Sequence, residues 1–195
     1  DLLRVPGART TLQEARARGG AVKVVYAATE ALDLAEIERS RTVVFVGVGF
    51  ETTIPTVAAT VLRAVARGVH NFCVLPAFKL VPPAMHALAS DPGIRIDGFL
   101  CPGHVSSILG TAPYEPVARD HGIPCVVAGF EPLQILAAVE ALLQQRADGR
   151  SVVENRYPQA VPTEGNPAAR EILDRVFTPC DAHWRGIGPL PASGL

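Results

Sequence analysis

Methionine is nearly absent: the 195-residue chain has one, Met85, and begins on Asp1. Reading frames start on Met, so the expectation is a fragment or a processed chain whose native start lies upstream. Cysteine is sparse. Cys73, Cys101, Cys125 and Cys180 are scattered and form no Cys-x-x-Cys pair, which speaks against a zinc knuckle or a dense disulfide framework. A reduced, cytoplasmic compartment is the expectation. Neither sign of charge dominates. Lys+Arg total 18 against 19 Asp+Glu, a net charge of −1, and this removes the electrostatic term that non-specific nucleic-acid binding relies on. No apolar run approaches the ~20 residues a membrane helix needs, and the longest, 42–50, is strand-sized. The first residues lack a basic region followed by an apolar core, so no signal peptide is visible. There is no Gly-x-x-x-x-Gly-Lys-Ser/Thr phosphate loop. The 17 Gly and 17 Pro are above average yet below the range of disordered chains. The length suits one ordinary domain or two small ones.

What is present is an alternation of strand-like and helix-like segments. Thr11 and Glu14 have capping-box spacing and open a short helix that runs to Gly19-Gly20. The β-branched segment 22–26 reads as a strand and 30–39 as a helix. The apolar run 42–48 reads as a strand of a parallel sheet covered on both faces. Val57, Ala58, Val61, Leu62 and Val65 keep helical spacing up to Gly68. Strands are predicted at 71–75, 96–100 and 124–128, with helices at 83–90 and 115–121. Segment 132–146 is apolar almost all round, which predicts a buried helix ended by Asp148-Gly149. Asn166-Pro167 starts another helix by cap-then-proline logic, with Ile172, Leu173, Val176 and Phe177 as its buried stripe. Segment 181–195, rich in Gly and Pro, reads as irregular or as an edge strand. Strands separated by helices imply right-handed crossovers and an α/β fold, parallel sheets with flanking helices. Ligands of such sheets sit beyond the carboxyl ends of the strands. Here those ends follow Val48, Leu75, Leu100 and Ala128.

Two of these ends carry the same triplet. Gly49-Phe50-Glu51 leads into Thr52-Thr53-Ile54-Pro55, and Gly129-Phe130-Glu131 leads into Pro132, a weak internal duplication. Glycine permits a tight turn, and Glu near a helix start can cap it and meets the positive end of the dipole. Spacing leaves two readings open, capped helix starts or a ligand site. The strand-end location and the added hydroxyls of Thr52 and Thr53 favour the second. Gly47-x-Gly49 is not a dinucleotide fingerprint, because Thr52 occupies the third glycine position and no acid follows at the required distance.

A third strand end carries Cys101-Pro102-Gly103-His104-Val105-Ser106. Cys101 and His104 have the spacing for a thiolate–imidazolium pair or for two metal ligands. With no further ligands nearby, Cys101 reads first as a small buried hydrophobe. His104, in a Pro-Gly turn, reads as a functional proton donor or acceptor. Cys73 and Cys125 read as core, and Cys180 is left open. His70, His86, His121 and His183 lack partner spacing and read as surface or structural. Lys79 is either a cleft cation or a solvated residue, and Trp184-Arg185 either a cation on an aromatic face or packing. Two alternatives follow: a self-sufficient α/β thiol or small-molecule transferase built on Cys101 and His104, and a plain interaction module.

Taken together, the motifs are more specific. Leu-Arg-Val-Pro-Gly (3–7), Gly-Phe-Glu-Thr-Thr-x-Pro (49–55), Pro-Gly-His-Val-Ser (102–106), Gly-Phe-Glu-Pro-Leu (129–133), Glu-Gly-Asn-Pro-Ala (164–168) and Trp-Arg-Gly-Ile-Gly (184–188) occur in that order. Over essentially its whole length the chain resembles the HypD family, which matures [NiFe]-hydrogenases. The resemblance implies a cytoplasmic scaffold that assembles the Fe(CN)2CO centre with a small HypC-type chaperone, while a HypE-type partner donates cyanide. It implies no nucleic-acid or membrane partner. It also implies two Rossmann-like α/β halves facing across a cleft, and a region holding a [4Fe-4S] cluster. Carried over by motif, Glu51, His104 and Glu131 would be the reactive polar groups. Gly49, Phe50, Thr52, Thr53, Pro102, Gly103, Gly129 and Phe130 would line the cleft. The expected division is 1–55 in a first domain, 56–130 in a second, and 131–195 as return helices and an extension packing on the first. The family's Cys-Gly-x-His-x-His and Gly-Pro-Gly-Cys-Pro-Val-Cys segments are absent, as are its cluster cysteines. They are expected outside this sequence, and none of the four Cys is assigned a metal.

Overall fold

The helix starts follow their capping residues. In the computed structural model, which describes residues 2–195, Thr11 accepts a hydrogen bond from the Glu14 N–H (3.1 Å) and opens α1 (Leu12–Ala17). Asn166 accepts from the Ala169 N–H (3.0 Å) and opens α8 (Pro167–Val176), with proline in its first turn. Glu131 opens α7 (Pro132–Ala147) with both halves of a capping box, and Gly149 follows that helix at φ +64. The other helices are α2 (Ala28–Ile37), α3 (Ile54–Ala66), α4 (Val81–Ser90), α5 (Gly103–Leu109) and α6 (Glu115–His121). No helix among the described residues is long and apolar enough to cross a membrane.

Strands β1 (Val43–Gly49) and β2 (Phe72–Phe78) pair in parallel, from Val43 opposite Phe72 to Gly49 opposite Phe78. Strands β3 (Phe99–Pro102), β4 (Cys125–Ala128) and β5 (Val153–Asn155) form a second parallel sheet with β4 in the middle. Strands β6 (Cys180–Trp184) and β7 (Gly188–Gly194) form an antiparallel hairpin. This is an α/β architecture of small parallel sheets flanked by helices. The first sheet joins strands on either side of residue 55, and the second joins strands on either side of residue 130.

The two sheets bury differently. All of β4 is buried. Val126 and Ala128 pack on Ala138, Ala141 and Leu142 of α7. Cys125 and Val127 face the opposite way, toward Met85, Cys101, Tyr114, Val117 and Val161. A strand covered on both faces reads as a continuous apolar run, and β4 obeys that rule. The first sheet is covered on one face, where Ile54, Val57, Phe78 and Leu173 form a core and Phe177 meets Phe78 edge-on at 5.5 Å. Its other face presents Val44, Val48, Cys73 and Leu75 to solvent. The expectation that 42–48 is covered on both faces therefore fails for β1, and Cys73 is an outward residue rather than core.

Other expectations are also corrected. Segment 22–26 forms no strand, and Tyr26 is 95% exposed. β-branched side chains favour a strand only where a ladder partner exists, and none lies alongside among the described residues. The third strand begins at Phe99 rather than at 96, and α5 and β5 were not foreseen. Helix α7 is one-sided: Leu133, Leu136 and Leu143 are exposed, and only Ala138, Ala141 and Gln145 are buried, because only that side meets the second sheet. Val65 likewise faces solvent while its neighbour Ala64 is buried. The tail is a hairpin, with Gly186 and Gly188 at positive φ in its turn.

One side chain ties the amino end of the first sheet together. Asn71, just before β2, donates from its amide nitrogen to the carbonyl oxygens of Ala35 (2.9 Å), Arg41 (2.8 Å) and Glu38 (3.2 Å). Asn71→Ala is expected to lower stability by about 2 kcal/mol, since it strands carbonyls where α2 turns into β1. Urea unfolding would show a lower midpoint at an unchanged slope.

Candidate functional site

The first Gly-Phe-Glu triplet turns the chain sharply from β1 into α3. Gly49 sits at φ +153, and a Cβ there would lie 2.7 Å from the Thr53 Oγ1 and 2.9 Å from its Cβ. The turn is closed by the Thr53 N–H donating to the Phe50 carbonyl (2.9 Å). It sends Phe50 outward against Trp184, with ring centroids 6.2 Å apart, and Glu51 inward. Glu51 is only 1% exposed. Its Oε1 accepts a hydrogen bond from the Val81 N–H (2.8 Å), the first residue of α4, and its Oε2 is buried with no partner among the described residues. Burial pushes the carboxyl from its ordinary 4.5 up to about 7, against the pull of the hydrogen bonds from its own N–H and that of Val81. A helix start attracts an anion, but here the loss of solvent outweighs it.

The buried hydroxyl of Tyr114 lies near enough to interact with it electrostatically. Ser106 donates to the Pro102 carbonyl (2.9 Å) and lies 2.9 Å from the Tyr114 hydroxyl. Tyr114 is completely buried and held neutral, first by that burial and to a lesser degree by the nearby Cys101 and Glu51. Sequence reading missed Tyr114 as a companion of Glu51, because no spacing rule connects a strand-end acid to a 3-10 turn at Ala112–Tyr114.

The second triplet also lies between a strand and a helix, but its Gly129 is not at positive φ and its side chains are used differently. Phe130 is exposed and lies against His104, with ring centroids 4.3 Å apart and planes tilted by 41°. Glu131 is exposed and caps its own helix, exchanging hydrogen bonds with Gln134 and the backbone. Both Phe residues therefore support an aromatic partner at the surface, while one Glu turns inward and the other stays out. His104 reaches this position because Gly103 lets α5 approach β4: a Cβ on Gly103 would lie 2.5 Å from the Ala128 carbonyl oxygen and 2.7 Å from the Tyr157 ring. The structure thus brings His104, Phe130 and Glu131 into one surface patch. The hydrogen bond of Glu51 goes to Val81 and to neither of the other two. Thr52 and Thr53 are exposed at the start of α3, and the Thr53 side chain makes no capping bond.

Cys101 points the other way from His104. It is 1% exposed, and a hydrogen bond with Cys125 together with burial raises its thiol well above the ordinary value. That removes the thiolate on which the Cys101–His104 transferase reading depends. The four cysteines lie on four different strands, Cys101 and Cys125 inside and Cys73 and Cys180 outside. No group of three or more His, Cys, Asp or Glu among the described residues is placed to hold a metal. A [4Fe-4S] cluster therefore does not fit these residues. An open groove of about 700 Å³ lies at the opposite end of the first sheet, lined by Glu36, Arg39, Arg67 and His70. Its guanidinium of Arg67 is engaged by Glu36 at 3.1 Å.

Two outcomes follow. The carboxyl of Glu51 is raised on folding, so between pH 4.5 and about 7 the folded state holds a proton that the unfolded state has released. Its contribution to stability is full below 4.5 and is lost as pH rises through 7, a fall of about 3 kcal/mol. Urea midpoints taken across that window should show this fall in the wild type relative to Glu51→Gln. With iodoacetamide, Cys101 and Cys125 should resist labelling until denaturant is added, and rapid labelling of Cys101 in the folded protein would contradict its placement.

Comparison with known proteins agrees with the motifs. The family profile HypD, described as the hydrogenase formation hypA family, matches residues 1–195. The chain is 42% identical over 196 residues to the hydrogenase maturation factor HypD of Rhodobacter capsulatus and 44% identical over 198 to that of Escherichia coli K12. It is 42% identical over 195 residues to a putative hydrogenase expression/formation protein of Methanocaldococcus jannaschii. Each match takes in 100% of this chain, and 52%, 52% and 54% of the respective relative. The chain spans about half the length of the curated relatives it matches. It belongs to the HypD family of hydrogenase formation proteins.

Proposed function

We propose that the chain is the α/β portion of a cytoplasmic scaffold on which the Fe(CN)2CO centre of [NiFe]-hydrogenases is assembled. The iron is its substrate, held by groups other than the residues described here. Each parallel sheet would be the core of one Rossmann-like half, the two facing across a cleft. The halves are then assigned by sheet rather than by seams at 55 and 130. A HypC-type chaperone and a HypE-type cyanide donor are the partners this reading requires.

The observation that supports it is Glu51: a buried carboxyl just past the carboxyl end of β1, with one oxygen unpartnered among the described residues and a pKa raised by burial to about 7. A group that titrates near neutrality both gives and takes a proton at its working pH. Glu51 would manage the proton as cyanide is delivered. His104, set on Phe130, would hydrogen-bond the anionic ligands from the surface side, with Glu131 beside it. Gly49, Gly103 and Gly129 would let the backbone close in, Pro102 would shape the β3–α5 turn, and Phe50 and Phe130 would wall the site. Thr52 and Thr53 would orient an anion at the start of α3.

The test uses the intact protein with its chaperone and follows the iron–cyanide and iron–carbonyl infrared bands. Glu51→Gln and His104→Ala are each expected to weaken the bands at least several-fold without loss of chaperone binding. Undiminished bands in both variants would sink the reading.

A further inference from the structure

We infer that His86 and His121 form a transition-metal site that staples α4 to α6. The two histidines are 35 residues apart in sequence, yet the Nδ1 of His86 and the Nε2 of His121 lie 3.3 Å from each other. Two nitrogens bound at about 2.0–2.1 Å to one tetrahedral ion stand about 3.3–3.4 Å apart, so the pair already has the bite of such an ion. As a ring-to-ring hydrogen bond the contact is long, and it is not straight. The ring centroids are 4.8 Å apart with planes at 72°, whereas a straight bond of this length would set them about 5.6 Å apart. The two nitrogens therefore do not point along one line, a bend that sharing one ion also requires.

The surroundings suit a cation that keeps some of its water. His86 is exposed and His121 half-buried, so an ion reaches the pair from solvent. Asp120 adjoins His121 and lies close enough to both rings to interact with them electrostatically, while its oxygens are held by Arg119 at 2.7 and 3.0 Å. It offers negative charge nearby rather than a third ligand. Imidazole nitrogen with water in the remaining positions suits zinc, copper or nickel over magnesium or calcium. The consequence is mechanical. Helix α4 carries Met85 into the second sheet's core, and its first N–H holds Glu51. A metal that ties α4 to α6 also steadies the partner of that carboxyl.

The test titrates Zn2+ into the intact protein against a chromogenic chelator, for the wild type, His86→Gln, His121→Gln and a His70→Gln control. His86 and His121 are not core residues, so glutamine is tolerated at both. The wild type and the control should bind one equivalent that each of the other variants binds at least tenfold more weakly. The double variant should be no worse than either single one. In the wild type, substoichiometric Co2+ should broaden the ring resonances of His86 and His121 selectively among this chain's five histidines. Equal binding by all four proteins, or broadening spread evenly over the histidines, would overturn the proposal.

Discussion

The hydrogen bond from the Val81 N–H to Glu51 is the joint on which the arrangement turns. Glu51 lies in the turn that follows the first sheet's leading strand, and Val81 begins the helix that delivers Ala84 and Met85 to the interior. The same helix lies against β7, and the Leu80 N–H donates to the Ser193 carbonyl (2.9 Å). A single buried carboxyl oxygen thus links the turn after the first sheet to the helix that enters the second core. The other oxygen has no partner among the described residues, which is a costly state for a buried polar atom. The protein lowers that cost by holding the carboxyl partly protonated, and the same adjustment tunes it to neutral pH.

The repeated Gly-Phe-Glu triplet shows how one local solution is put to two uses. In each copy glycine permits a turn that an added Cβ would obstruct, and the Phe ring remains at the surface against another ring, Trp184 or His104. The difference lies in what the following helix needs. Glu131 satisfies the N–H groups of its own helix in a capping box. Glu51 precedes Thr52 and Thr53, so α3 starts two residues later and the carboxyl is released to reach a different helix.

Much of this was legible in the chain. Asn166-Pro167, Thr11 with Glu14, Gly68 and Asp148-Gly149 place their helix ends by hydrogen bonds among near neighbours. The alternation of elements foretells the parallel pairing, and the strand-end rule locates Glu51, His104 and Glu131 where turns carry them. Coverage was not legible. The runs that became β1, β4 and α7 are similarly apolar, yet β4 is sealed on both faces while β1 and α7 each keep a bare side. Periodicity reports which side chains are apolar and says nothing of whether a layer exists to cover them.

The site divides in the same way. Local chemistry alone specifies the turns, the caps and the candidate residues, because each depends on groups only a few positions apart. Packing settles their meaning. It sends Glu51 inward and leaves Glu131 outside, turns Cys101 into the core beside Cys125, and aligns His86 with His121. These outcomes depend on contacts between residues more than twenty positions apart, or on desolvation that exists only once distant elements close over a side chain. The sparse, scattered cysteines noted at the start belong to this second group. Their spacing contains no Cys-x-x-Cys pair, and the fold sets Cys101 and Cys125 inside and Cys73 and Cys180 outside.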